Sequence, residues 1–144
     1  MLVQQILKEK GNAEVVSVKP GSLVQDAAKI LADRHIGTVV ISHDGTTADG
    51  ILSERDIVRE IGSRGPKCLS DLVDDMMTKE LVTCSLNDDA VQILEKMTEG
   101  RFRHMPVVEA GKLVGLITLG DVVKARLSEL AMEKDALQGM IMGH

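Results

Sequence analysis

An internal repeat of about 66 residues constrains the fold of this sequence more than any other feature. Gly50–Val58 matches Gly115–Val123 at an offset of 65, and Val16-Ser17 matches Val82-Thr83 at an offset of 66. A repeat of this size is typical of one supersecondary unit that is copied and packed against its twin. The sequence therefore predicts two similar halves that share one compact, pseudo-symmetric body.

The offset between the halves changes along the chain. Val39–Ile41 matches Pro106–Val108 at an offset of 67, which falls to 65 at the next matched run. We therefore expect two extra residues in one hairpin turn of the first half, at His43–Thr47.

Each half has the same series of predicted elements. A short β-rich run is followed by a helix with apolar residues at the i, i+3, i+4, i+7 spacing. Two strands joined by a Gly-containing turn then lead into a second helix. The runs are Val15–Val18 and Leu81–Cys84, and the helical stripes are Val24, Ala27, Ala28 and Leu31, and Ala90, Ile93, Leu94 and Met97.

This series predicts an α+β fold class, with two β-α-β-β-α repeats in a pseudo-two-fold arrangement and a small sheet and helices in each. We assign residues 1–68 to the first repeat and residues 69–144 to the second repeat with its C-terminal helix. A polar linker near residues 62–67 separates them, and a short helix is expected around Ser70–Met77.

Composition excludes several classes of function. The net charge of −5 argues against non-specific binding to nucleic acid, and the absence of Trp and Tyr removes base stacking on aromatic rings. No apolar run is long enough to span a membrane, and the first ten residues lack the pattern of a signal peptide. We therefore expect a cytoplasmic protein with no membrane partner.

Metal binding and catalysis also lack candidates in the sequence. The two cysteines form no CxxC pair, and the four histidines do not stand at metal-ligand spacing. No nucleophile–base arrangement and no phosphate-binding Gly-rich loop can be argued. We expect no metal site and no required cofactor.

The junction between the last strand and the last helix of each half carries a shared pattern. It reads Gly, two apolar residues, Ser or Thr, two variable residues and Asp, and it places Ser53 and Asp56 in one half and Thr118 and Asp121 in the other. One interpretation is helix capping alone, because a hydroxyl followed three residues later by an acid satisfies free N–H groups. The other is ligand binding, because a carboxylate can accept both hydrogen bonds of a ribose diol.

With these motifs, and with Arg103–Val108, the chain resembles a tandem pair of CBS domains, the cystathionine-β-synthase-type nucleotide-sensing module. The resemblance covers about residues 4–127 and is closest to stand-alone bacterial members. It implies that adenosine ligands lie in two clefts between the repeats: AMP by preference, or ATP, ADP, NAD or S-adenosylmethionine. It also implies that the carboxylates of Asp56 and Asp121 hold the ribose in the two clefts, with Ser53 and Thr118 beside it.

The resemblance further implies which residues surround the adenine and the phosphates. The adenine is expected near Ser17, His35, Ile36 and Val39 in one half, and near Thr83, Phe102 and Pro106 in the other. Arg103 and His104 are expected at the phosphates. The alternatives are a solvated arginine and a half-buried structural histidine.

The two halves differ at these basic positions. The first has Ile36-Gly37 where the second has Arg103-His104, and Arg55 is expected to substitute, whereas its counterpart Gly120 cannot. We therefore expect inequivalent clefts, one of them empty or holding a different ligand. Arg55 as a plain surface residue is the alternative.

The C-terminal segment predicts one long helix from Val122 to about Ile141. Its apolar residues follow a nearly heptad spacing that Lys134 interrupts; they include Leu127, Leu130, Ala131, Leu137 and Ile141. The helix either folds back on its own core or forms a homodimer contact, which suits the family.

The function expected from these features is a non-catalytic regulatory and energy-sensing protein. An adenosine ligand would shift the pair of repeats or the dimer between two arrangements, and a regulated protein, still unknown, would respond. The alternative is a structural or interaction module that regulates a partner protein without binding a ligand.

Overall fold

The computed structural model describes residues 1–11 and 15–142 of the chain. A short 3-10 helix, Pro66–Ser70, precedes the fourth helix. In chain order, the helices and strands are α1 (Val3–Glu9), β1 (Ser17–Val18), α2 (Val24–Arg34), β2 (Thr38–Ile41), β3 (Gly50–Ser53), α3 (Glu54–Arg64), α4 (Val73–Met76), α5 (Ala90–Gly100), β4 (His104–Glu109), β5 (Lys112–Thr118) and α6 (Leu119–Met142).

The α+β fold with two similar repeats is confirmed. In the first repeat, β2 lies between β1, which pairs with it in parallel, and β3, which pairs with it antiparallel. In the second repeat, β4 and β5 form an antiparallel pair.

The β-rich run predicted at Leu81–Cys84 is shorter than expected. Only Cys84 pairs with β4: its N–H donates to the carbonyl of Pro106 at 3.0 Å, and its carbonyl accepts from the N–H of Val108 at 2.8 Å. Leu81 and Val82 lie outside the strand pairing and line a cleft that is described below.

The strand register corrects the repeat alignment by one residue. Val39 lies opposite Leu52, and Met105 lies opposite Ile117, so Val39 is equivalent to Met105 and the offset through these strands is 66. Eight residues separate Ile41 from Gly50, and seven separate the equivalent Val107 from Gly115, so the first hairpin has one extra residue and not two. The apolar strings match almost equally well at either register, which hid the one-residue slip.

Each half of the chain contributes a segment to the hydrophobic core of the other half. Val3 and Ile6 of α1 are buried among residues of the second repeat, such as Ile93 and Met105. In turn, Val73 of α4 is buried in the first repeat's core. The predicted boundary at residues 68/69 stays a prediction, but the packing of the two cores crosses it.

The exchange is symmetric at the level of the backbone. The N–H of Val24 donates to the carbonyl of Asp71 at 2.9 Å, and the N–H of Val73 donates to that of Ser22 at 2.8 Å. In the other half, the N–H of Ala90 donates to the carbonyl of Met1 at 2.9 Å. These bonds satisfy N–H groups in the first turns of α2, α4 and α5 that have no partner within their own helix.

The exchanged segments also explain the glycine in each motif. A Cβ atom at Gly50 would lie 2.5 Å from Sδ of Met77, and one at Gly115 would lie 2.9 Å from Cδ1 of Leu7. A larger residue at either site would force the side chain of Met77 or Leu7 to move out of its present position.

The long C-terminal helix is confirmed, but beyond Ala125 it leaves its apolar residues uncovered. Leu127, Leu137 and Ile141 are 62%, 60% and 84% exposed. In this chain the helix does not fold back on its own core. No helix among residues 1–11 and 15–142 has the length and apolar character needed to cross a membrane.

Candidate functional site

The two repeated motifs form the same capping arrangement. The Asp56 carboxylate accepts from the N–H of Ser53 at 3.0 Å, and the Ser53 hydroxyl oxygen accepts from the N–H of Asp56 at 3.2 Å. Thr118 and Asp121 repeat this exchange at 2.9 and 3.1 Å. The capping interpretation therefore holds in both halves. Because each aspartate caps through Oδ2, its Oδ1 atom faces away from the capping bond.

The surroundings of the two aspartates differ. Asp56 has Nη1 of Arg59 at 3.6 Å from Oδ1, within its own helix. Asp121 instead receives Nζ of Lys10 at 2.8 Å on Oδ2, and the same ammonium donates to the carbonyl of Leu116 at 2.9 Å. Burial disfavours the Asp121 carboxylate, but the Lys10 and Thr118 hydrogen bonds outweigh it and lower the pKa of Asp121. The carboxylate therefore stays ionised at neutral pH.

A first cleft of about 350 Å³ opens beside Asp56. One wall is the β3–α3 junction of the first repeat, with Ser53, Arg55 and Asp56. The opposite wall comes from the second repeat and from the chain that leads into it. It consists of Thr78, Glu80, Leu81 and Val82 together with Gly100, Arg101, Phe102, Arg103 and His104.

A second cleft of about 610 Å³ repeats this construction with the halves exchanged. Thr118 and β5 of the second repeat face the end of α2 and the start of β2 in the first repeat. Lys10 also lines this cleft, whereas Asp121 lies behind its ammonium group. The first-repeat wall consists of Val15, Val16, His35, Ile36, Gly37 and Thr38.

His104 lies between the two clefts and lines both of them. It also lines a central cleft of about 490 Å³ with Arg55, Arg103 and Gly120, where the two motif junctions face each other. A Cβ atom at Gly37 would lie 3.4 Å from its Nε2 atom, so the first repeat leaves space for the imidazole. Burial lowers the pKa of His104, opposed by Glu54 and Asp121 and assisted by Lys10 and Arg103.

The structure brings together most of the residues that the sequence selected. The first cleft contains Ser53, Arg55, Asp56, Phe102, Arg103 and His104. The second contains His35, Ile36 and Thr118, again with His104. Each cleft thus combines the motif of one repeat with the helix-to-strand loop of the other.

Five expected residues do not line these clefts, and one of them is Asp121, which lies behind the ammonium group of Lys10. Val39 and Pro106 are buried in strands β2 and β4, and Val39 belongs to the core of the first repeat. Ser17 and Thr83 are exposed, while their neighbours Val16 and Val82 face the clefts. The prediction for Ser17 and Thr83 was therefore wrong by one residue. In an extended chain, adjacent side chains point in opposite directions, so an error of one residue selects the wrong face.

Several lining residues were missed by the sequence reasoning. Val16 and Val82 are related by the repeat offset, which was a usable signal. Lys10 carried no such signal, because its position depends on α1 crossing to the other repeat. Arg59 lies within α3 and Arg101 at the C-terminal end of α5, and an arginine in either place is common without any role in binding.

The thiols of the two cysteines lie away from the clefts. Cys68 and Cys84 are free and buried, and burial raises the pKa of the Cys84 thiol to about 12. Within residues 1–11 and 15–142, no group of three or more His, Cys, Asp or Glu side chains is placed to hold a metal ion.

Comparison with known proteins gives consistent matches. The CBS domain family matches residues 7–63 and 73–128. A solved CBS-domain-containing protein from Agrobacterium tumefaciens is 42% identical, with a TM-score of 0.83 over 88% of this chain and 99% of that chain. A CBS domain protein from Pyrobaculum aerophilum, solved in complex with AMP, is 26% identical, with a TM-score of 0.77 over 92% and 99%.

A plant protein also matches over nearly the whole chain. A mitochondrial CBS domain-containing protein of Arabidopsis thaliana is 30% identical over 148 residues, which cover 98% of this chain and 72% of the relative.

His104 gives the site a measurable pH signature. Its folded-state pKa lies below that of an unfolded histidine, so the unfolded chain takes up this proton first as the pH falls. Stability is then lost as the pH falls from 7 through the pKa of the unfolded histidine, near 6.5, and then through the lower folded value. We expect His104→Gln to reduce the decline in the free energy of unfolding between pH 7 and pH 5, measured by urea denaturation.

His43→Gln serves as the control of opposite sign. The hydrogen bond with Asp49 raises the pKa of His43, so its contribution is present at low pH and lost as the pH rises. Its removal should steepen the same decline. Superimposable pH profiles for the wild type and His104→Gln would contradict the lowered pKa of the half-buried imidazole.

Proposed function

Because the chain belongs to the CBS domain family, we propose that it is a non-catalytic regulatory protein that binds adenosine-containing ligands in its first and second clefts. One observation carries the proposal: in each half, the capped Ser/Thr-Asp junction of one repeat stands at a cleft whose other wall belongs to the other repeat. A ligand there would contact both repeats at once.

The chemistry of the first cleft suits a nucleotide. Asp56 and Ser53 line the cleft and would serve as ribose partners, and Phe102 and Leu81 supply apolar surface for a base. Arginine side chains provide planar donors that match phosphate oxygens. AMP is our preferred ligand, since a relative of this chain was solved with it. ADP, ATP, NAD and S-adenosylmethionine share the same adenosine and are further candidates.

Signalling would follow from the way the clefts are built. A ligand that prefers one spacing of the two repeats shifts the chain toward that spacing. The regulated partner protein is unknown, and the cytoplasmic location stays a prediction. The ligand-free interaction module is the competing function and makes the opposite prediction in the following experiment.

Asp56→Asn tests the ribose contact without removing the helix cap. Asparagine still offers an oxygen to the N–H of Ser53, but it loses the charge and one acceptor, each of which a diol would use. We expect AMP affinity, measured by titration calorimetry, to fall about tenfold or more, in line with the loss of a hydrogen bond to a charged group.

Asp26→Asn is the matched control. Asp26 also occupies the first turn of its helix, is exposed, and lies in neither cleft. It should leave the affinity unchanged. No binding of AMP, ATP, NAD or S-adenosylmethionine by the wild type would favour the ligand-free interaction module instead.

We further propose that α6 pairs with α6 of a second copy in a homodimer. The uncovered positions Val123, Leu127, Leu130, Leu137 and Ile141 follow alternating spacings of three and four residues, with Lys134 inserted. This is the seam of a coiled coil. A symmetric pair would bury this apolar stripe, which would otherwise be exposed to water.

Leu127→Glu combined with Leu137→Glu should convert a dimer into a monomer, because the two charges would be buried in the pair. Light scattering coupled to size-exclusion chromatography measures the mass. Ser128→Glu, on a neighbouring face of α6, should leave the dimer intact. A wild-type chain that stays monomeric at a concentration of about 100 μM, far above the dissociation constant expected of a stable dimer, would refute this contact.

A further inference from the structure

The first cleft holds an excess of positive charge. Four arginines line it, Arg55, Arg59, Arg101 and Arg103, against two carboxylates, Asp56 and Glu80. Among the described residues, three of these arginines form no ion pair within 4.0 Å: Arg55, Arg101 and Arg103. Free guanidinium groups in a concave site attract anions.

The second cleft lacks this charge at the equivalent positions. The corrected register makes His35 equivalent to Arg101 and Gly37 equivalent to Arg103, and the motif alignment makes Gly120 equivalent to Arg55. The one Lys or Arg side chain that lines the second cleft among the described residues is Lys10, and its ammonium is already bound to Asp121.

The second cleft is also the larger and the more aliphatic of the two. Leu7, Val15, Val16, Ile36, Val114 and Leu116 line it. A 5′-phosphate carries about 1.5 to 2 negative charges at neutral pH. Placed here, it would meet no unpaired Lys or Arg side chain among the described lining residues, so its charge would gain no partner.

We infer that the two clefts divide adenosine ligands by charge: the first takes 5′-phosphorylated adenosine compounds, and the second takes uncharged adenosine nucleosides. This inference rests on the proposed function, since it assigns ligand classes to the same two clefts. The chain would then bind a nucleotide and a nucleoside in separate clefts.

AMP and adenosine are the matched probes, because they differ only in the phosphate. In titration calorimetry on the wild type, adenosine should still bind after the chain is saturated with AMP. Raising the salt from about 0.05 to 0.5 M should weaken AMP binding about tenfold and adenosine binding less than twofold, because salt screens only the charged ligand.

Two exposed valines give matched variants. Val82 lines the first cleft and is 45% exposed, and Val114 lines the second and is 47% exposed, so aspartate at either position should be tolerated by the fold. Val82→Asp should weaken AMP at least tenfold and leave adenosine within threefold. Val114→Asp should weaken adenosine at least tenfold and leave AMP within threefold. Thermal melting of both variants checks folding, and the wild-type competition test holds without them.

The outcomes separate this inference from the proposed function. Binding of both probes with mutual displacement at one site would overturn the division by charge and leave the proposed function standing. Equal effects of each variant on both probes would do the same. No binding of either probe would overturn this inference, and the proposed function would fall with it if ATP, NAD and S-adenosylmethionine also failed to bind.

Discussion

The exchange of segments between the two halves is the packing interaction on which the rest of the structure depends. Ile6 is 2% exposed in the core of the second repeat, and Val73 is fully buried in that of the first. Each small sheet would otherwise leave one face in water, at a cost of roughly 1.5–3 kcal/mol per large apolar side chain. Because each segment must cross to the opposite repeat, the chain that follows it passes beside the other repeat's motif. The two clefts are a consequence of that path.

The motif aspartates show how structure and binding share one group. Oδ2 of Asp56 holds the first turn of α3, which fixes the carboxylate at the end of β3, while Oδ1 has Nη1 of Arg59 at 3.6 Å. The same capping bond fixes Asp121, but there Lys10 from the exchanged helix also binds. The two motifs therefore share the same helix cap, while the charges around their aspartates differ. The difference arises from residues outside the motif.

Much of this arrangement could be predicted from the sequence, because the repeat and the helical stripes are local patterns. The buried positions of α5, Ala90, Ile93 and Met97, were all among those predicted. The placement of Ser53 and Asp56 followed from capping chemistry. The register of β2 and β4 failed by one residue, since similar apolar strings do not fix pairing. The position of Lys10 depends on tertiary packing between distant segments, for which a single sequence holds no periodic signal.

The most direct test of the account uses the ring of Phe102, the chain's one aromatic side chain of the Phe, Tyr or Trp type. It belongs to the second repeat, whereas Asp56 belongs to the first, and both line the first cleft. Aromatic carbon–proton NMR spectra of the chain labelled at phenylalanine should show the Phe102 signals shifting as AMP is added. The same addition to Asp56→Asn should require a much higher concentration for the same shift. AMP binding that leaves the Phe102 signals in place would contradict a ligand held between the two repeats.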